Sequence, residues 1–446
     1  FKNYLEDIND SVNNQSIKNK ADEERDKRFQ EYTYDFFKPE NASLDTYKEK
    51  IQACIKNLKE DKAIGPTNWN NRAIKEFNNR VEKFDSMLAV IAKEIAEGRF
   101  PFTDFLTDST LIGIWKNEEK TKLRPIAIAN NLAKLLISVA MKIVLGNRRI
   151  IDPLLSMERN QFGIECSSGV EVAGTLIREL KRDNRFKKSI QLDIVNAFNT
   201  ISREHMLVCV KKFIPELLPM VKLLYLHDSR LYLSQEKVIL SKQGVRQGCP
   251  LSPLLFSLAS NDLLREEVKL GMEKGVFVCA YLDDHTFIVP QLEGSDITFN
   301  EIKQKIRPIL EKLSLKLNES KCIIYEPRPS NNLQDSFEEV IRTNEGTVVQ
   351  GIPIGTEKFI QEKVDESLNE AMKMMFRLPE LNTQVAFHML RLSITPTANF
   401  LVRALGDNPQ YFEKWDNKIV KTVMTLAGQL LDYYEYEGKS IEKWSN

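Results

Sequence analysis

The sequence contains no apolar run long enough to cross a bilayer, only four histidines, six scattered cysteines, and no surplus of charge of either sign. Each shortage excludes something. Without about twenty consecutive apolar residues no transmembrane helix is expected, and the chain reads as soluble. Cys54, Cys166, Cys209, Cys249, Cys279 and Cys322 lie too far apart for zinc-type pairs and are too sparse for a secreted disulfide scaffold, so isolated buried thiols in a reducing, intracellular compartment are expected. With 63 basic and 63 acidic residues there is no global field to draw in a polyanion, and any nucleic-acid contact must come from local basic clusters. Internal repeats and low-complexity segments are also missing. The chain opens at Phe1 instead of Met, as an excerpt would, and no targeting signal is read from it.

What is present is ordinary globular material, 42% hydrophobic and 28% charged over 446 residues. That length exceeds the size at which a single core stops growing, so two or three packed regions are expected. Residues 1 to about 60 are rich in Lys, Glu, Asp and Asn with few apolar positions, which suggests solvated helices or partly ordered chain. Helical spacing then runs through Phe77, Val81, Phe84, Leu88 and Ile91. From about 105 to 355 short β-like runs alternate with amphipathic helices, an α+β or α/β pattern, and beyond Gly355 apolar residues recur at helical spacing to Val423.

The sharpest local signal is Tyr281-Leu282-Asp283-Asp284, two acids between the apolar runs 276–280 and 285–289. A hairpin turn at the pair would expose carboxylates that are costly inside a buried strand. Adjacent acids at such a tip repel one another unless a cation sits between them and a second acidic site; the plainer reading is a surface turn. Asp193 ends the apolar run Ser189-Ile190-Gln191-Leu192 and precedes a helix that Ser202 would cap, with Glu204 in its first turn. Two-metal phosphoryl transfer needs carboxylates from separate strands converging on ions about 4 Å apart. Asp193 and Asp283 suit that demand, with Asp284 as an adjacent ligand, and an all-oxygen set favours magnesium.

Between these acids lies Gln243-Gly244-Val245-Arg246-Gln247-Gly248-Cys249-Pro250-Leu251-Ser252-Pro253. Ser252 as N-cap and Pro253 at the first helical position predict a helix start, and the glycines permit close backbone approach to a ligand or simply to a core helix. Upstream, Trp115-Lys116 and Lys120 to Ile126 form a basic, hairpin-like segment in which Lys116, Lys122 and Arg124 could neutralise a triphosphate. The same charges also fit a solvated face.

The order of these segments, continued by Asn318-x-x-Lys321 and Gly351-Ile352-Pro353-Ile354-Gly355, resembles the reverse transcriptases of non-LTR (LINE-type) retroelements over about residues 65 to 410. The resemblance implies an α+β, right-hand palm-type polymerase: an N-terminal extension (1–60), fingers with the N-terminal reverse-transcriptase motif (61–187), a palm (188–355, with a fingers segment about 215–245) and a helical thumb (356–446). By the same resemblance Asp193, Asp283 and Asp284 would be the catalytic acids, holding two Mg²⁺ ions, or Mn²⁺ in their place, together with the backbone carbonyl of Ile194. Phe198 would be the steric gate against a 2′-hydroxyl. Gln247 and Gly248 would line the template and nucleotide pocket, Lys116, Lys122, Arg124 and Lys321 would meet the triphosphate, and Lys321 would protonate pyrophosphate. Gly351, Pro353 and Gly355 would grip the primer end, and Gln161 and Phe162 would belong with primer and template. Lys62-Ala63-Ile64-Gly65-Pro66 resembles the extra N-terminal motif, and Thr395 to Arg403 the thumb. The implied partners are an RNA template, a DNA primer or target and deoxynucleoside triphosphates, in the nucleus and away from membranes. Thr67-Asn68, Leu282 and Asn199 depart from the family pattern without removing a metal ligand. A non-catalytic, reverse-transcriptase-like nucleic-acid-binding protein is the alternative from another class.

Overall fold

The computed structural model describes residues 42–115, 123–146, 160–164, 166–234, 237–328, 339–406 and 408–433. In chain order the strands are β1 (Ser109–Trp115), β2 (Leu123–Ala129), β3 (Phe186–Leu192), β4 (Ser229–Tyr232), β5 (Val238–Ser241), β6 (Phe277–Tyr281), β7 (Asp284–Pro290), β8 (Ile323–Tyr325), β9 (Ile341–Thr343), β10 (Gly346–Val349) and β11 (Ile352–Gly355), with helices between them. This is the expected α+β alternation. Among the described residues no helix is long and apolar enough to cross a membrane.

Two compact units form, each from separated stretches of chain. The first takes residues 1–169, 192–285 and 296–322; the second takes 170–191, 286–295 and 323–446.

In the first unit the strand order is β2-β1-β4-β5, with β1 and β2 antiparallel, β1 and β4 parallel, and β4 and β5 antiparallel. The basic segment does form a hairpin: Trp115 lies opposite Leu123 and Ile114 opposite Arg124. Lys116 and Lys122 fall outside the described residues, as does the side chain of Arg124. The helices Leu44–Lys56, Phe84–Ala96 and Asn131–Leu145 pack together through residues such as Ile51, Leu88, Ala92, Leu136 and Ala140. Of the stretch expected to be solvated, residues 1–41 lie outside the described residues, and the first of these helices buries one face of the remainder. Its apolar residues Tyr47, Ile51 and Ile55 recur every four positions, enough to bury one stripe although the segment is polar on average. Ser43 caps it, accepting from Thr46 N–H at 3.2 Å.

The second unit holds β7, β3, β8 and β9 side by side, with β3 antiparallel to β8 and β8 parallel to β9. β10 and β11 form a separate hairpin around Gln350 (φ 50°) and Gly351 (φ 86°), the two positive φ values that a tight turn matching strand twist demands. After Gly355 only helices follow, chiefly Glu357–Arg377, Thr383–Met389, Asn399–Leu405 and Glu413–Tyr433, as the periodicity predicts.

All six cysteines are free, and Cys209, Cys249, Cys279 and Cys322 are buried. Because Ile51 is fully buried between packed helices, Ile51→Ala is expected to destabilise the protein by roughly 2–5 kcal/mol in denaturant titration, the usual cost of truncating a core aliphatic side chain. A loss below about 0.5 kcal/mol would return the helix Leu44–Lys56 to the periphery.

Candidate active site

The two acidic segments both belong to the first unit. β3 ends at Leu192, so Asp193 is the first residue beyond a strand whose inner positions Ile190 and Leu192 are buried. Antiparallel bonds from Asn318 N–H to Asp193 O (2.8 Å) and from Val195 N–H to Lys316 O (2.9 Å) hold the chain there. They flank the Ile194–Leu317 bridge, so the carbonyl of Ile194 is not used by this ladder. The Asp193 carboxylate accepts from Asn318 Nδ2 at 2.8 Å and lies 3.8 Å from Lys321 Nζ. Lys321, predicted to act near pyrophosphate, is thus paired with a predicted metal-holding acid.

β6 and β7 are joined by two residues, Leu282 and Asp283, which makes the expected hairpin turn. Leu282 sits in the left-handed region (φ 57°), a conformation that costs a non-glycine residue about 1–2 kcal/mol and persists only where neighbours hold it. Those neighbours come from the Gln161-Phe162-Gly163 segment. Gln161 bridges Ala280 in parallel, and its side-chain oxygen accepts from Leu282 N–H at 2.8 Å and Gly163 N–H at 2.9 Å. Gln161 and Phe162 are only 3% and 8% exposed. On the far side His285 Nδ1 donates to Glu267 Oε2 at 2.6 Å and His285 Nε2 to Leu282 O at 3.2 Å. Both side chains are almost wholly buried. Burial disfavours the charged imidazole, but the Glu267 carboxylate and these hydrogen bonds outweigh it and raise its pKa.

The acids sense one another. Asp284 is pushed up to about 6, first by the protein packed about it, then by the charges of Asp283 and, more weakly, Asp193, with His285 working in the opposite direction. That coupling brings the three predicted carboxylates into one electrostatic neighbourhood. Among the described residues no three His, Cys, Asp or Glu side chains are drawn together tightly enough to hold a metal ion unaided. The donor chemistry still fits magnesium: carboxylate oxygens only, and mutual repulsion that a divalent cation would relieve.

The Gly-rich loop folds over the same region. Phe198 stacks on Phe256 with ring centres 4.4 Å apart and planes 9° from parallel, and its carbonyl accepts from Val245 N–H at 2.6 Å. Gly244 (φ 67°) lies against the backbone of Phe198 and Asn199 with no room for a Cβ. Two buried arginines that the sequence reading did not single out secure the loop. Arg203 donates to the carbonyls of Ser241, Gln243 and Gly244, and Arg246 donates to Thr107 O at 3.1 Å while lying over the Tyr225 ring. Neither stands out in the sequence, since polar residues lie beside both. Ser252 proves to be the first helical residue and not the N-cap; its hydroxyl donates to Arg246 O at 2.6 Å, so it braces the loop instead of closing the helix. Gln247 is half-buried and Gly248 exposed.

Gly248 also rims a cleft of roughly 630 Å³ whose lining includes Lys50, Lys62, Lys134 and Lys142 and no acid. Burial, and then the charge of Lys62, lower the pKa of Lys134. Asn71 Oδ1 and Asn131 Nδ2 in this lining have no hydrogen-bond partner among the described residues. Lys62 and Ala63 come from the N-terminal motif, and Gly65 of that motif packs directly on the backbone of Ala129 and Asn130. Gly351, Pro353 and Gly355, predicted to grip the primer, lie in the hairpin of the second unit. There Pro353 pairs with Val348, Gly351 approaches the Phe400 ring, and Lys181 Nζ donates to Gly355 O at 2.6 Å.

Acids from two distant segments thus lie in one unit with a glycine-rich loop and a lysine-lined cleft. The chain belongs to the reverse transcriptase (RNA-dependent DNA polymerase) family, whose model matches residues 114–345. It is 27% identical over 230 residues to a probable RNA-directed DNA polymerase from transposon BS of Drosophila melanogaster, covering 48% of this chain and 24% of that protein. It is 26% identical over 294 residues to the retrotransposable element SLACS 132 kDa protein of Trypanosoma brucei gambiense, covering 63% and 23%. The chain therefore spans about a quarter of the length of these relatives. Among solved structures it is similar to apo telomerase from Candida tropicalis at 15% identity and TM-score 0.37, covering 57% of this chain and 54% of that one. Telomerase from Candida albicans gives 11% identity and TM-score 0.37, covering 74% and 61%.

An acid whose folded pKa of about 6 exceeds its unfolded value of about 3.9 destabilises the fold as pH rises between the two. Water screens part of that penalty because Asp284 is exposed. Asp284→Asn is therefore expected to raise the melting temperature of metal-free protein at pH 7.5 by roughly 1–3 °C, a gain that disappears by about pH 4. A gain that persists unchanged at pH 4 would contradict the assignment.

Proposed function

We propose that this chain is an RNA-templated DNA polymerase that extends a DNA 3′ end by two-metal nucleotidyl transfer, in a target-primed mode, with fingers, palm and thumb at 61–187, 188–355 and 356–446. The observation that carries the reading is the coupling of Asp193, Asp283 and Asp284 in a member of this family. Asp193, Asp283, Asp284 and the Ile194 carbonyl would hold two Mg²⁺ ions, which when bound activate the attacking 3′ oxygen and neutralise charge at the leaving pyrophosphate. Asn318 keeps the Asp193 carboxylate aimed by its hydrogen bond, and Lys321 stands beside it as a proton source for the leaving group.

The flat stack of Phe198 on Phe256 fixes an aromatic wall close to the acids, which suits a gate that leaves no room for a 2′-hydroxyl. The acid-free lysine cleft at Gly248 suits the phosphates of a template strand, with Gln247 and Gly248 between template and nucleotide. Target priming rests on the relatives' retroelement names and on the non-LTR-like motif order.

Primer extension on an RNA template with deoxynucleotides and Mg²⁺ tests the reading. Wild type is expected to give product and Asp283→Ala background only; undiminished product from the variant would defeat it. In the same assay Phe198→Ala is expected to raise ribonucleotide incorporation relative to deoxynucleotide, and an unchanged sugar preference would remove the gate from this position.

A further inference from the structure

We infer that Gln161 is a positioning residue for the acidic turn: with the Glu267–His285 pair it holds the left-handed Leu282 backbone that presents Asp283 to a divalent cation. The inference rests on the functional reading above and gives the Gln161-Phe162-Gly163 segment a task other than touching nucleic acid.

One side-chain amide grips both polar atoms of a single residue. Leu282 N–H donates to Gln161 Oε1 at 2.8 Å, and Gln161 Nε2 donates to Leu282 O at 3.3 Å. The amide thereby does at the turn what a neighbouring strand does along a ladder, and only a group carrying donor and acceptor together can do so. Gln161 is itself fixed. Ala280 N–H donates to Asn160 O at 2.8 Å, Phe162 N–H donates to Ala280 O at 2.7 Å, and Gly163 N–H donates to the same Oε1 at 2.9 Å.

Gly163 makes the approach possible, since a Cβ there would lie 2.7 Å from Leu282 N. From the opposite side His285 gives Leu282 O its second donor, and Glu267 fixes the imidazole. The side chains of Gln161, His285 and Glu267 that hold the turn are buried, and Leu282 itself is half-buried. These side chains thus hold the peptides on both sides of Leu282, the second of which joins Leu282 to Asp283.

The test compares wild type with Gln161→Met, which preserves length but neither hydrogen bond. Mn²⁺ binding to the protein without nucleic acid is read by electron paramagnetic resonance, and steady-state extension is read for kcat and KM separately. Expected are a half-saturating Mn²⁺ concentration raised by roughly 10- to 100-fold, the range for losing a partner that orients a metal ligand, and a kcat lowered by a similar factor, with KM for template-primer within about twofold of wild type. Wild-type Mn²⁺ binding and kcat in the variant would overturn the inference, and so would a loss expressed in template-primer KM alone. Should Gln161→Met fail to fold, Gly163→Ala keeps the amide but crowds Leu282 N; unchanged Mn²⁺ binding and kcat there would overturn it equally. Asp283→Ala run alongside separates the failures, because full extension by that variant defeats the functional reading whatever Gln161 does.

Discussion

Mutual repulsion of Asp193, Asp283 and Asp284 is the constraint on which the first unit's interior depends. Burial first, and then the neighbouring charges of Asp283 and Asp193, hold the Asp284 carboxyl well above the ordinary range. A fold can keep such a cluster only by fixing the backbone on both sides of it. At Asp193 this is done by the ladder to residues 316–318 and the amide of Asn318. At Asp283 it is done by the Leu282 turn, a conformation no leucine would hold in isolation.

The supports are themselves polar and buried, which explains their form. The Glu267–His285 pair places a carboxylate and an imidazole out of water, where a lone charge would be prohibitive and a hydrogen-bonded pair is tolerated. Arg203 likewise reaches the Gln243 and Gly244 carbonyls that a glycine-rich loop leaves without helix or strand partners, while Arg246 ties the loop to Thr107 O. The loop can come close to Phe198 because Gly244 has no side chain, and its unsupported carbonyls are then satisfied by guanidinium groups from elsewhere in the unit.

Much of this was legible in the sequence, and the exceptions have physical reasons. Apolar runs broken by adjacent acids read as a hairpin because burial and carboxylates are incompatible within one strand, and 277–290 folds that way. The helical tail after Gly355 was visible because helical periodicity accumulates over long segments. The helix at 44–56 was obscured by its charged faces, since a narrow stripe of Tyr47, Ile51 and Ile55 hardly changes average composition. Ser252 was misplaced by one residue because Ser-Pro is a good helix start in isolation, and only the tertiary contact to Arg246 shows the hydroxyl to be committed elsewhere. The hydrogen bonds of Gln161 were not legible, because nothing in a linear string reveals that its amide faces a turn 121 residues away.

The lysine cleft has a consequence when set against the balanced charge of the whole chain. A molecule with equal numbers of acids and bases exerts little pull on a polyanion beyond a Debye length of about 10 Å at 0.1 M salt. On the proposed function, contact with a strand would fall to local clusters such as the four lysines of this cleft.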